Sequence, residues 1–242
     1  MKRPARTSTS AASLSRRRFV GLSALGALAA TKLPASPGLA SDQRAEPRVA
    51  FNTANLVARV SGYRFELAHW MDQHNQTIAA THEAAWRAIC GEIAAAGFSA
   101  VEVWEAHASP EALTGSRAAT WKRILEDASL EPIAYAGRLR RETLEICWVL
   151  CIPHVDGGLG DLAPEAATAL CRELGIGFNT ENHPEKSAEE ILAKIGGGNE
   201  WLGVCIDTGW LGTQGVPGPE VIRACGSSGP AGPSSATPTS RT

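Results

Sequence analysis

Carboxylate and imidazole side chains recur in this chain directly after short apolar runs. Glu181 and His183 follow the run that begins at Gly177, and Asp207 follows the run that begins at Leu202. Divalent metal ions take carboxylate oxygens and imidazole nitrogens as ligands, so side chains of these types converging on one rim indicate a divalent-cation site. The polar residues found at such positions are Asn52, Glu102, Glu105, His107, His154, Asp156, Glu181, His183 and Asp207.

The elements that must position these residues alternate between strand and helix from Arg48 onward. Short connections between alternating strands and helices predict a parallel sheet covered by helices, either doubly wound or closed into a barrel. The predicted strands are 49–52, 100–104, 132–135, 154–156, 177–181 and 202–207. The predicted helices are 82–96, 116–128, 140–150, 164–174, 187–195 and 219–225.

The position of the polar residues decides between these two architectures. A dinucleotide-binding sheet would show a G-x-G-x-x-G turn after its first strand, whereas this chain has Phe51-Asn52-Thr53-Ala54-Asn55 there. In a (β/α)8 barrel, functional side chains gather at the carboxyl end of strand after strand. The sequence follows that second pattern, and we therefore predict an α/β fold of the (β/α)8 TIM-barrel type.

Three segments carry a resemblance to a known family. They are GFSAVEVW at 97–104, GFNTENH at 177–183 and LGVCIDTG at 202–209. These segments resemble strands two, five and six of the xylose isomerase-like TIM barrels, the sugar phosphate isomerase/epimerase superfamily. The resemblance covers roughly residues 48–225, and its most specific part is the Glu that ends strand five together with the Asp-Thr-Gly after strand six.

The resemblance implies a metal-dependent isomerase or epimerase. Glu181 and Asp207 stand where the family has metal ligands, and Glu181 also stands where it has an acid/base residue. The implied cofactor is one divalent ion, Mn²⁺, Mg²⁺, Co²⁺ or Zn²⁺, which grips sugar oxygens and stabilises an enediolate while a proton moves beside a carbonyl. Glu102, His107 and His183 are the candidates for binding substrate hydroxyls.

The chain departs from the family after Cys225. The family completes its metal site with a His near strand seven and a Glu on strand eight, and neither is present here. Residues 226–242 are instead composed of Gly, Ala, Pro, Ser and Thr at 16 of 17 positions, which predicts a disordered low-complexity tail. We therefore expect an incomplete barrel of about six β/α units, within a domain at 41–225, truncated before strands seven and eight.

Residues 1–40 have the pattern of a twin-arginine export signal. Ser15-Arg16-Arg17-Arg18-Phe19-Val20 precedes a short apolar stretch that ends near Ala30, and small residues follow at 38–40. The expected location of the protein is therefore periplasmic or extracellular, with no stable membrane span after cleavage.

The net charge of the chain outside residues 1–40 limits which classes of molecule it is expected to bind. Residues 1–40 hold seven basic side chains and no acidic one, so the rest of the chain has 16 basic against 25 acidic side chains, a net charge of −9. That charge argues against holding a nucleic-acid backbone. The expected partners are a small sugar-like substrate and, as a homo-oligomer, a second copy of the chain.

The alternatives to an isomerase or epimerase are a catalytically impaired, truncated barrel or a sugar-binding protein. A polyol dehydratase and an abasic-site endonuclease are less favoured.

Overall fold

The computed structural model describes residues 48–228, which form one parallel sheet with helices. The predicted signal at 1–40 and residues 229–242 of the tail predicted at 226–242 lie outside the described residues. Six strands of the described chain pair in sequential order, each parallel to the next. They are β1 (Phe51–Asn52), β2 (Ala100–Trp104), β3 (Glu131–Ala136), β4 (His154–Gly157), β5 (Gly177–Glu181) and β6 (Leu202–Cys205).

Helices follow the strands along the chain, as the sequence pattern predicts. They are α1 (Trp70–Ala80), α2 (Glu83–Ala95), α3 (Ser116–Asp127), α4 (Arg141–Leu150), α5 (Pro164–Leu174), α6 (Ala188–Lys194), α7 (Thr208–Thr213) and α8 (Gly218–Ser228). The fold is therefore α/β with six parallel strands, consistent with a partial TIM barrel, and α8 continues for three residues past the expected start of the tail. None of the helices in residues 48–228 has the length and apolar character needed to cross a membrane.

The two faces of the sheet differ in chemistry. Successive side chains of a strand point to opposite faces. Val101 and Val103 of β2 and Phe178 of β5 are fully buried in the core beneath the helices. Glu102 and Asn179 alternate with these residues, so they point to the opposite face, which corresponds to the inside of a barrel. The apolar face drives folding, because burying it removes hydrocarbon from water.

Local sequence signals set several element boundaries. Pro164 occupies the first turn of α5, where its missing N–H costs no helical hydrogen bond, and Gly175 ends that helix in the left-handed conformation. The Ser187 side chain accepts a hydrogen bond from Glu190 N at 3.2 Å and begins α6. β6 ends earlier than the predicted 207, because Asp207 instead caps α7 and accepts a hydrogen bond from Trp210 N at 2.9 Å.

Residues 53–80, which connect β1 to α2, are largely helical and dock on the end of β2. Thr53–Ser61 forms a 3-10 helix, a second short 3-10 turn spans Leu67–His69, and α1 follows. The buried Thr53 hydroxyl accepts a hydrogen bond from Trp104 N at 2.7 Å, and the Trp70 ring lies 5.3 Å from the Trp104 ring, centroid to centroid. This segment therefore covers the end of β2.

The core beneath the helices supplies a test of the packing. Trp121 of α3 is 1% exposed, stacks on Trp86 and donates from its indole nitrogen to His107 O at 2.8 Å. We expect Trp121→Ala to lower the free energy of unfolding by about 3–5 kcal/mol, because it leaves a cavity and an unpaired carbonyl. The control Trp148→Ala, at a residue 68% exposed, should change it by less than about 0.5 kcal/mol. Urea titration followed by circular dichroism measures both, and equal losses would contradict the packing described.

Candidate metal centre

The pairing of β5 with β6 brings Glu181 and Asp207 together. Glu181 is the last residue of β5 and lies opposite Cys205, the last residue of β6. Asp207 follows Cys205 by two positions, and His183 follows Glu181 by two positions. Because parallel strands end on the same edge of the sheet, all three polar side chains lie at its carboxyl edge.

The three side chains form a compact group. One ligand atom from each of Glu181, His183 and Asp207 lies within 4.8 Å of the other two. The imidazole sits between the carboxylates: Nδ1 is 3.4 Å from Glu181 Oε2, and Nε2 is 3.3 Å from Asp207 Oδ2. The Trp210 ring packs against the imidazole in a T-shaped arrangement, with a centroid distance of 5.0 Å.

The two oxygens of Asp207 have different roles. Oδ1 accepts the hydrogen bond from Trp210 N that caps α7, and Oδ2 faces His183. The cap holds the carboxylate in one orientation while leaving Oδ2 for a ligand. The side chains of Glu181, His183 and Asp207 are 38%, 42% and 38% exposed, so a ligand can approach them from solvent.

A second layer of polar side chains lines the same face of the sheet. Glu102 accepts a hydrogen bond from Asn52 Nδ2 at 2.7 Å, and Asp156 accepts one from Asn179 Nδ2 at 2.7 Å. Gly203 makes room for this second pair, because a Cβ there would lie 2.3 Å from Asn179 Oδ1. The amides hold both carboxylates in place across neighbouring strands.

Burial and neighbouring carboxylates raise the affinity of Glu102 for a proton. Burial raises the pKa of Glu102 to about 7, and the negative charges of Asp156 and Glu181 contribute in the same direction. Burial likewise raises the pKa of Asp156. Several acidic groups held in one partly buried region also raise the pKa of the Cys205 thiol, after the larger effect of its own burial. A bound cation would relieve this repulsion.

The donor set fits a divalent metal ion. Two carboxylates and one imidazole suit Zn²⁺, Co²⁺ and Mn²⁺, and the carboxylates alone suit Mg²⁺. Bonds of about 2.0–2.2 Å place two ligand atoms at most about 4.4 Å apart, so the group needs to contract only slightly around an ion. When bound, the metal would supply a positive charge that polarises a substrate carbonyl.

His107, predicted as a substrate-binding residue, lies in a different environment. It is 3% exposed, and its ring stacks on Trp86 at 6.0 Å and meets the edge of Trp104 at 5.6 Å, centroid to centroid. Burial lowers its pKa to about 4, with Arg59 and His74 acting in the same direction. The structure thus places His107 among aromatic rings, while Glu102 lies on the polar face of the sheet with Glu181.

The structure adds two details to the predicted rim of polar residues. His183, predicted to bind substrate hydroxyls, has one ring nitrogen close to each of the two carboxylates. Asn182 was not singled out, because strand alternation turns it away from the polar face; it is fully buried and bonded to Asp207. Its position between Glu181 and His183 was the only sequence signal that could have marked it.

The raised pKa of Glu102 predicts a pH-dependent stability. The folded state keeps a proton on Glu102 up to about pH 7, whereas an unfolded glutamate loses it near pH 4.3, so wild-type stability falls as pH rises between these values. Glu102→Gln has no such proton to lose. With EDTA present, we expect the variant to gain about 2–3 kcal/mol over wild type between pH 5 and pH 8.

Urea titrations across this pH range measure the difference in unfolding free energy. Glu145→Gln, at an exposed position of α4, is the control and should follow the wild-type curve. A Glu102→Gln curve parallel to wild type would show that Glu102 is ionised at neutral pH.

Comparison of the amino-acid sequence finds no matching protein family and no matching curated protein. Solved structures do match. The probable 3-DHS dehydratase AsbF, involved in petrobactin synthesis, from Bacillus anthracis aligns with a TM-score of 0.51 and 11% identity, over 77% of this chain and 72% of that one.

Two further solved structures align with lower TM-scores. A xylose isomerase domain protein from Planctomyces limnophilus has a TM-score of 0.46 and 13% identity over 58% of this chain, which spans 64% of that protein's length. The IolI protein, solved with a bound zinc atom, has a TM-score of 0.45 and 13% identity over 74% of this chain and 67% of that one. At such identities the likeness concerns the fold alone, and it agrees with the six parallel strands and covering helices of the described residues, a partial TIM barrel.

Proposed function

We propose that this protein is an exported, metal-dependent isomerase or epimerase of sugars or sugar phosphates. The observation that carries the proposal is the grouping of Glu181, His183 and Asp207, half-exposed, at the carboxyl edge of two adjacent parallel strands. In barrels of this type that edge is where chemistry occurs. The proposed cofactor is one divalent ion, Mn²⁺, Mg²⁺, Co²⁺ or Zn²⁺, with Glu181 and Asp207 as ligands.

The reaction proposed is proton transfer at a carbon next to a carbonyl. Glu181 takes the proton, so the C–H electron pair moves toward the carbonyl and an enediolate forms. Returning the proton to the opposite face of the same carbon gives an epimer, and returning it to the neighbouring carbon gives an isomer. A divalent ion held by Glu181 and Asp207 would supply positive charge that stabilises the negative charge developing on the substrate oxygens.

Other polar residues hold the substrate in this proposal. Glu102 lies on the same face as Glu181, and its pKa of about 7 lets it either donate to or accept from a sugar hydroxyl at neutral pH. His183 faces both carboxylates and can serve as a third ligand or contact a hydroxyl. His107 is proposed less directly, because its ring is buried among tryptophans.

Export by the twin-arginine route is part of the proposal. The signal-like residues 1–40 are the support for it, and they imply a periplasmic or extracellular site of action. That route carries folded proteins, which suits an enzyme that acquires its metal before export. A homo-oligomer is also proposed, since a second copy of the chain could contribute further metal ligands to a centre that has three candidate ligand residues.

A dehydratase of cyclic polyols is a second candidate. Its support is the alignment with the AsbF dehydratase, which concerns the fold, and the shared first step of proton abstraction beside a carbonyl. The two candidates differ in their products: a dehydratase releases water and forms a double bond, whereas an isomerase conserves the substrate's formula. Mass spectrometry of products separates them.

Metal content tests the proposed ligands. We expect about one divalent ion per purified chain, lost in the double variant Glu181→Gln, Asp207→Asn because two of the three charged or imidazole ligands are gone. The control Glu126→Gln, Asp127→Asn changes the same residue types on the exposed face of α3 and should keep the ion. Elemental analysis, with circular dichroism to confirm folding, makes the comparison.

Solvent-proton exchange tests the proposed reaction. In D₂O the metal-loaded protein should place deuterium on the carbon beside the carbonyl of a ketose from a panel of sugars and sugar phosphates. Glu181→Gln should abolish this exchange, since that carboxylate takes the proton. Tight metal binding without exchange on any member of the panel would favour the sugar-binding alternative, and no metal in a folded protein would contradict the proposal.

A further inference from the structure

The side chain of Asn182 joins the two strand ends that carry the metal-binding carboxylates. Its Oδ1 accepts a hydrogen bond from Asp207 N, and its Nδ2 donates to Asp207 O at 3.3 Å. Both bonds go to the main chain of a single residue, as a neighbouring strand would make them. Asn182 is fully buried, so water does not compete for these two bonds.

The backbone alone does not make this connection. The last paired residues of β5 and β6 are Glu181 and Cys205. After Glu181, the segment that follows β5 turns sharply, because His183 N donates a hydrogen bond to Glu181 O at 2.9 Å. The Asn182 side chain therefore takes the place of the next rung of the sheet, and it does so directly between Glu181 and His183.

The consequence concerns the spacing of ligands. Asp207 is held through its main chain by Asn182 and through its carboxylate Oδ1 by Trp210 N, which leaves Oδ2 facing His183. Without the Asn182 bonds, the end of β6 would be tied to β5 only up to Cys205. The distance between the carboxylates of Glu181 and Asp207 would then vary as residues 206 and 207 move.

We propose that Asn182 is the positioning residue of the metal centre and sets the spacing of Glu181 and Asp207 for one divalent ion. The inference rests on the proposed function and deepens it, since it names the residue that prepares the site before the ion arrives. Groups that orient metal ligands without touching the metal commonly change its affinity 10–100-fold when removed.

The test compares Asn182→Ala with a matched control, Asn199→Ala, in the full chain. Asn199 also bonds to the main chain at an end of β6, accepting from Trp201 N at 2.8 Å and Leu202 N at 3.1 Å, but at the opposite end of that strand. Both substitutions remove hydrogen bonds that hold β6. Only Asn182→Ala should weaken Co²⁺ binding, by on the order of 10–100-fold in Kd.

Two readouts separate positioning from stability. Thermal unfolding of the metal-free proteins reports the structural cost, which both variants should show. The visible absorption bands of bound Co²⁺ report its coordination, and they should change in Asn182→Ala while matching wild type in Asn199→Ala. Should Asn182→Ala fail to fold, Asn182→Leu fills the buried volume without making either bond, and it should show the same loss of affinity.

Equal Co²⁺ affinity and equal spectra in wild type, the Asn182 variants and Asn199→Ala would overturn the positioning role and leave the metal centre intact. A folded wild-type protein that binds no Co²⁺ would instead overturn the metal centre itself, and the role of Asn182 with it.

Discussion

The parallel register of β5 and β6 is the constraint on which the candidate site depends. It places Glu181 opposite Cys205, so a glutamate and an aspartate far apart in sequence reach the same edge of the sheet. Phe178 and Leu202 are paired across the same two strands, and both side chains are buried in the core. Their burial holds that register. A slip of one residue would move these apolar side chains out of the core and the carboxylates away from one another.

Side chains alternate between the two faces of the sheet, and this alternation explains why several acidic groups lie near one another on one face. Apolar side chains of each strand point to the helices and supply the free energy of folding, which leaves the other face for polar groups. Glu102, Asp156 and Glu181 share that face, and burial, together with the negative charges of Asp156 and Glu181, raises the pKa of Glu102. Amides from Asn52 and Asn179 hold two of the carboxylates, and a cation at the edge of the sheet would lower the remaining electrostatic cost.

Much of this arrangement follows from local sequence patterns. The Gly that ends a helix, the Pro in the first turn of α5 and the apolar run in each strand predict the order of elements and the edge at which Glu181 and Asp207 emerge. The helical segment at 53–80 was less predictable, because its stability comes from packing on Trp104, a contact with a residue distant in sequence. For the same reason the position of His107 between two tryptophans could not be foreseen from its place after a strand. Asn182 was missed because side-chain bonds to a neighbouring strand end leave no periodic pattern.

The most direct measurement of the account is a crystal structure of the protein grown with Zn²⁺, with anomalous diffraction recorded on both sides of the zinc absorption edge. We predict one anomalous peak at the carboxyl edge of β5 and β6, within about 2.0–2.2 Å of oxygens from Glu181 and Asp207. A structure in which zinc is absent or bound elsewhere, while the His183 ring remains between the two carboxylates, would contradict this prediction.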